Sequence, residues 1–266
     1  MVVSSLFTYP LKSGRAIDLS SARISAAGIP YDRSILVINE AGKALTGRQI
    51  PELTAISASI IENSLSLSKD GQSNATRAAL PTDEAEKISF KLFRNTVSGV
   101  LFDSAASDWI SNVLGVSCRL VYVLTHLRSI DPKRGGKEGD VMGYADASPM
   151  HLITEESLLD LNSKLSTSVT NLHFRPNIVI QGGGAFDEDA WKSVVINDCE
   201  FNVHHLCKRC VFTTIDPLTS LKDPNIEPLT TLARWRRERN EDPTFGIYLV
   251  PRKTGTISVG DPVFPN

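Results

Sequence analysis

Short apolar runs, each cut off within a few residues by Gly, Pro, Asp or Asn, constrain this chain most. Ile35 to Ile38, Ile178 to Ile180, Val194 to Ile196 and Ile257 to Val259 are examples. Runs this short and this rich in β-branched residues read as strands rather than helices. The first hundred residues are mainly material of this kind. Three stretches break the pattern. Asp103 or Ser104 can cap a helix through Trp109, Ile110, Val113 and Leu114, with Gly115 as its stop. Thr154, followed by Glu155 and Glu156, opens a second with a stripe of Leu158, Leu161 and Leu165. Pro228 suits position N1 of a third, with Leu229, Leu232 and Ala233 facing inward. The expected class is a β-rich mixed α/β fold. With 266 residues and 41% hydrophobic content the chain can bury a core in one large or two ordinary domains. The boundary is expected near residues 115 to 125, giving domains 1–120 and 121–266.

The densest chemistry lies in His204-His205-Leu206-Cys207-Lys208-Arg209-Cys210-Val211-Phe212-Thr213-Thr214. Cations beside a thiol favour its thiolate, which can attack an electrophile, exchange disulfides or hold a metal. Cys199, Cys207, Cys210 and one of His204 or His205 make up the four ligands of a structural zinc. A second Cys-x-x-Cys is missing. A thioredoxin-type dithiol opens a helix, whereas Val211 to Thr214 reads as strand. On spacing alone, zinc, redox and buried structural thiols stand about equal. Four cysteines do not make a disulfide framework, so a reducing cytoplasm is the expected compartment. A net charge of −2 gives no global pull toward nucleic acid or anionic lipid. No apolar run approaches a membrane span, and no signal peptide opens the chain.

Other polar groups are scattered. Lys12-Ser13-Gly14 is a turn able to bind an anion, and Asp32-Arg33 opens a strand with an Arg that can grip an anion bidentately. Asp146 and Ser148 precede the second helix. Arg175 and Asn177 flank Pro176, so in extended backbone they share a face. Asp131 to Asp140 is a polar, Gly-rich loop, and Gly182-Gly183-Gly184 is a weak phosphate signal. Arg234, Arg236, Arg237 and Arg239 put charge on the outer face of the third helix, a surface able to meet an acidic partner.

Taken together, Tyr9-Pro10-Leu11-Lys12-Ser13, Tyr31-Asp32-Arg33, Asp146-Ala147-Ser148-Pro149, Phe174-Arg175-Pro176-Asn177, Cys207-Lys208-Arg209-Cys210, Glu227-Pro228-Leu229 and Val259-Gly260-Asp261-Pro262-Val263 resemble a known family in order and spacing. It is the MOSC family with its N-terminal β-barrel domain, the class of the mitochondrial amidoxime-reducing component and bacterial YcbX-type proteins. The resemblance implies an N-terminal β-barrel-like domain, a C-terminal MOSC β-barrel with peripheral helices, and a molybdenum cofactor between them. It makes Cys210 the protein thiolate on molybdenum. Lys12, Ser13, Arg33, Asp146, Ser148, Arg175 and Asn177 then hold the pyranopterin and its phosphate, with Lys208 and Arg209 beside the metal. Pyridoxal phosphate binding is a further association at family level. The implied activity is reduction of amidoximes, hydroxylamines and N-hydroxylated purines, fed by a separate electron-donor protein. Larger relatives carry a ferredoxin domain; this sequence lacks the cysteines for an iron–sulfur cluster, so a separate donor serves it or it is part of a longer protein. Ala147 stands where related sequences often carry a hydroxyl, and Gly14 where a small residue or Cys is often seen. The alternatives are a cofactor or sulfur carrier without turnover, and a zinc- or thiol-stabilised β protein.

Overall fold

The computed structural model describes residues 1–71, 75–124, 127–130, 136–236 and 242–266. Strands of the first half are β1 (Val2–Thr8), β2 (Ile17–Leu19), β3 (Ser21–Ile24), β4 (Ile35–Asn39), β5 (Ala44–Leu45), β6 (Ile56–Ile61), β7 (Ser64–Lys69), β8 (Thr76–Ala79), β9 (Lys87–Leu92) and β10 (Asn95–Leu101). Helix α1 (Ser104–Leu114) leads to β11 (Cys118–Tyr122), then β12 (Arg128–Ser129), β13 (Val141–Met142) and β14 (Met150–Thr154). Helix α2 (Glu155–Asn162) precedes β15 (Ile178–Gln181), β16 (Ser193–Ile196) and β17 (Cys199–Lys208). Helix α3 (Leu229–Trp235), β18 (Thr244–Lys253), β19 (Gly255–Ser258) and β20 (Val263–Pro265) complete the order. The fold is mixed α/β and strand-rich, with its few helices outside the sheets.

An eight-stranded sheet runs β2-β1-β15-β14-β18-β17-β16-β20. Only β14 and β15 pair parallel, and α2 spans the crossover between them. Both faces of this sheet are buried, and period-two alternation divides its residues between them. Ile178 and Ile180 join Leu6, Leu152, Ile247 and Leu249 on one side. Val179 joins Phe7, Ile153 and Phe245 on the other, beneath Leu161 of α2 and Leu232 of α3. A five-stranded sheet, β5-β4-β11-β10-β9, holds the second large core. Ile35 to Ile38 lie fully buried in β4, the reason that run is apolar without alternation.

The two sheets are not divided at one point along the chain. Strand β1 sits against β15, and β3 pairs with β19, so the first residues are built into the later half's sheet. The chain then leaves β1 through residues 9 to 12, which lie along residues 33 to 35 at the entry to β4. Arg33 N donates to Tyr9 O at 2.8 Å, Lys12 N to Ile35 O at 2.7 Å and Ile35 N to Pro10 O at 3.0 Å.

Local signals behave as sequence chemistry predicts at two helix starts. The Asp103 carboxylate accepts from Ala106 N at 3.0 Å, and Gly115 closes α1 at φ 67°. Thr154 caps α2 by accepting from Ser157 N. Pro228 stands one place earlier than expected, at the N-cap of α3 rather than N1. Val211 to Thr214, expected as strand, is a 3-10 turn. The Thr213 hydroxyl donates to Cys210 O at 2.9 Å and the Thr214 hydroxyl to Val211 O at 2.8 Å, local bonds that favour a turn over a ladder.

Candidate functional site

Residues 9–13 and 31–34, the segment 144–148 ahead of β14, the turn before β15 and the end of β17 meet at the seam between the sheets. They enclose a cleft of about 770 Å³, its open mouth included. Lys12, Ser13, Arg33, Asp146, Ser148, Arg175, Asn177, Lys208, Arg209 and Cys210 all line it. Residues more than 190 positions apart in sequence therefore share one wall. Cys210 is half-buried, while Cys118, Cys199 and Cys207 are buried.

The backbone is bent unusually to achieve this. Ser13, Arg33 and Arg175 adopt φ of 68°, 47° and 55°. Non-glycine residues rarely occupy this region, and the cost of each is of order 1–3 kcal/mol. Positive φ is not confined to the cleft: Glu62, Asn63, Phe186 and Asn197 also adopt it.

Asn177 organises the floor. Its side-chain oxygen accepts from Arg33 Nη1 at 3.1 Å and from His151 N at 3.1 Å, and its amide nitrogen donates to Phe7 O at 3.2 Å. Arg33 also donates to Arg175 O at 2.9 Å and pairs with Asp32, whose other oxygen accepts from Tyr9 N at 2.8 Å. The buried Tyr9 ring stacks with both guanidinium groups, at 4.3 Å from Arg33 and 4.1 Å from Arg175. Ser148 is buried and donates to Leu249 O at 3.2 Å, which ties the loop to β18. Asn177 and Ser148 thus position the cleft's walls. Lys12 Nζ donates to Tyr144 O at 2.7 Å and pairs with Asp146, which Arg48 also approaches at 3.5 Å.

Positive charge dominates among the described residues of the lining, where Lys12, Arg33, Arg48, Arg175, Lys208 and Arg209 face one carboxylate, that of Asp146. Burial and then the charge of Arg33 pull the Arg175 guanidinium down to about 10. Burial likewise lowers Lys12, against the pull of Asp146. Burial opposes ionisation of Asp146, but Lys12 and Arg48 outweigh it and hold the carboxyl at about 2. Arg33 moves the other way: Asp32 more than offsets its desolvation. Two of the cleft's buried guanidinium nitrogens, Arg175 Nη2 and Arg209 Nε, have no hydrogen-bond partner among the described residues. Burying unpaired cationic donors is costly, and a bound anion offsets that cost.

Cys207 contrasts with Cys210. Its sulfur accepts from Arg209 Nη1 at 2.6 Å, and burial still pushes the thiol up. Arg209 Nη2 donates to Phe174 O at 2.8 Å, so this guanidinium braces the end of β17. The zinc arrangement does not form. Cys199 and Cys207 lie at opposite ends of the ten-residue β17, roughly 20 Å or more apart by strand rise. Among the described residues no group of three or more His, Cys, Asp and Glu is placed to hold a metal.

Sequence reasoning did not single out Arg48, Phe93, His151, Phe212 and Tyr248, which also line the cleft. A Cβ on Gly47 would overlap the Phe212 ring, so that glycine lets the Arg48 turn approach the Cys210 turn closely. His151 is buried, and burial and then Arg209 and Arg33 hold it well below the usual histidine range. Of the arginines at the end of α3, Arg236 pairs with Asp189 and stacks on Phe186 at 4.1 Å. Arg237, Arg239 and residues 131–135 of the polar loop lie outside the described residues.

Residues 1–117 match the MOSC N-terminal beta barrel domain and residues 139–264 the MOSC domain. The chain is 37% identical to mouse mitochondrial amidoxime-reducing component 1, over 98% of this chain and 81% of that protein. Against its human counterpart identity is 35%, over 98% of this chain and 82% of the other, and human component 2 gives 32% over the same shares. The chain belongs to the MOSC family, in the group that joins the MOSC N-terminal β-barrel to the MOSC domain and includes the mitochondrial amidoxime-reducing components.

Proposed function

We propose that this protein is a molybdenum-cofactor-dependent reductase of N-hydroxylated compounds, with Cys210 as the protein ligand to the metal. The observation that carries the reading is the convergence of Cys210, the one cysteine that is not buried, with six cations in one cleft. The residues suit the group. A pyranopterin brings a phosphate and a dithiolene, both anionic. The unpartnered donors of Arg175 and Arg209, and the lowered Lys12 and Arg175, are what an anion would satisfy. Ser13, Arg33 and Asn177 complete the binding wall, and Lys208 and Arg209 flank the thiolate. Soft sulfur suits a metal already held by sulfur.

When bound, the cofactor supplies a metal that takes an oxygen atom and cycles by two electrons. An amidoxime, two electrons and two protons give an amidine and water. The electrons come from a donor protein that this reading places outside the site. Against its burial, Lys12 and Arg48 hold Asp146 well below the usual carboxylate range, which favours the ionised form, so it is not assigned the role of proton donor. Its half-exposed carboxylate instead accepts hydrogen bonds from the N–H groups of substrate and product. Water at the open mouth provides the protons. A reducing compartment keeps Cys210 a free thiol until the metal arrives; the names of the relatives point to mitochondria as one such place.

Benzamidoxime with a chemical reductant tests the reading. Molybdenum-loaded protein is expected to form benzamidine catalytically. Loaded protein that forms none would favour a cofactor carrier instead.

A further inference from the structure

Phe93 holds a position that core packing does not explain. It sits at the tip of the β9–β10 hairpin, between the paired residues Leu92 and Asn95, with φ 55°. Hairpin tips with positive φ favour Gly or Asn, and a bulky residue is strained there. The side chain is not spent on the interior, because the residue is 46% exposed. Two cations of the Cys210 cleft lie against its ring: Arg48 Cζ at 4.8 Å and Lys12 Nζ at 5.4 Å from the centroid. Phe93, Arg48 and Asp146 line both that cleft and an adjoining groove, which continues past Arg94, Arg128 and Met142. The ring therefore stands where the inner cleft opens into the outer groove.

We infer that Phe93 is a specificity-determining residue: it stacks against the planar aromatic or heteroaromatic body of an N-hydroxylated substrate whose reacting group points inward to Cys210. This rests on the reductase reading of the cleft. An aromatic ring polarised by adjacent cations offers a flat apolar surface at the threshold. Asp146 takes the substrate's N–H groups from the same threshold, so ring and carboxylate together fit an aryl amidoxime better than an alkyl one.

Amidoximes titrated without a reductant read this without turnover. Benzamidoxime and acetamidoxime are both neutral, share the polar group and differ in the ring, so both are titrated calorimetrically into loaded wild type, Phe93→Gly and Phe93→Trp. In Phe93→Gly, benzamidoxime should weaken about three- to tenfold relative to acetamidoxime, and Phe93→Trp should recover it. With a reductant added, the ratio of kcat/KM for benzamidoxime over acetamidoxime should fall by a similar factor, through KM. Phe93→Gly should melt no lower than wild type, since glycine takes this φ without strain. Benzamidoxime binding that is undetectable in wild type, unaltered by Phe93→Gly, or lost in step with acetamidoxime overturns the inference. Loaded wild type that binds benzamidoxime through Phe93 yet reduces neither amidoxime sinks the reductase reading and leaves the aromatic contact standing.

Discussion

Cys207 and Cys210 are three positions apart and have opposite surroundings. One is buried beneath Arg209; the other tips into the cleft from the start of a turn. That difference was hidden in the sequence, where spacing left zinc, redox and structural roles level. What separates them is where β17 ends: a strand's last inward residue is buried, and the turn that follows presents its cap. Another residue pair, outside the cleft lining, makes part of the fold's stability depend on pH. Asp140, on the loop leading to Tyr144 and Asp146, pairs with Arg252 of β18, and this hydrogen bond is the main reason its pKa is lowered. A carboxyl depressed in the folded state contributes stability above its unfolded pKa, and loses it as pH falls through the folded value. Asp140→Asn should therefore cost about 1–2 kcal/mol at pH 7, with its stability curve merging with wild type as pH drops below about 4. Chemical denaturation across pH checks this, and an equal gap at pH 3 and pH 7 would refute it.

At the scale of elements, the close approach of β10 to the Tyr144 segment holds the Lys12 seat. A Cβ at Gly99 would overlap the Tyr144 hydroxyl and lie 2.7 Å from Tyr122 O. Tyr144 in turn offers the carbonyl that accepts from Lys12. Gly99→Ala should destabilise by about 1–3 kcal/mol, from overpacking. Because one clash partner is the hydroxyl, Gly99→Ala and Tyr144→Phe should couple by about 0.5 kcal/mol or more in a double-mutant cycle. Strict additivity would show that the Val121 side chain and Tyr122 backbone, not the Tyr144 hydroxyl, carry the cost. Strand runs and helix caps were legible because they are local: Ile35 to Ile38, Asp103 with Gly115, and Thr154. Val211 to Thr214 misled, since β-branched composition favours strand while the threonine hydroxyls bond back to the preceding turn. Phe93 carried no signal at all. Nothing in its neighbours tells that a hairpin tip lies over a cleft built by other strands.

For the whole molecule, the site depends on the chain crossing from one sheet to the other. Strand β1 is held beside β15, and the next residues run along the entry to β4, so Lys12, Arg33 and Arg175 are fixed by both sheets at once. Each motif is readable as a fragment, and their order resembles a family; the shared cleft follows from pairings such as Leu6 with Ile178 and Arg33 with Asn177, far apart in sequence, which local patterns do not encode. The central claim is that Cys210 anchors a molybdenum cofactor in that cleft. Its most direct test is metal content per chain in protein from a cofactor-competent host, for wild type and Cys210→Ser. Wild type should carry about one molybdenum, as expected for a single thiolate site, and the variant should fold alike and carry almost none. Molybdenum retained in Cys210→Ser, or zinc in place of molybdenum in wild type, would contradict the account.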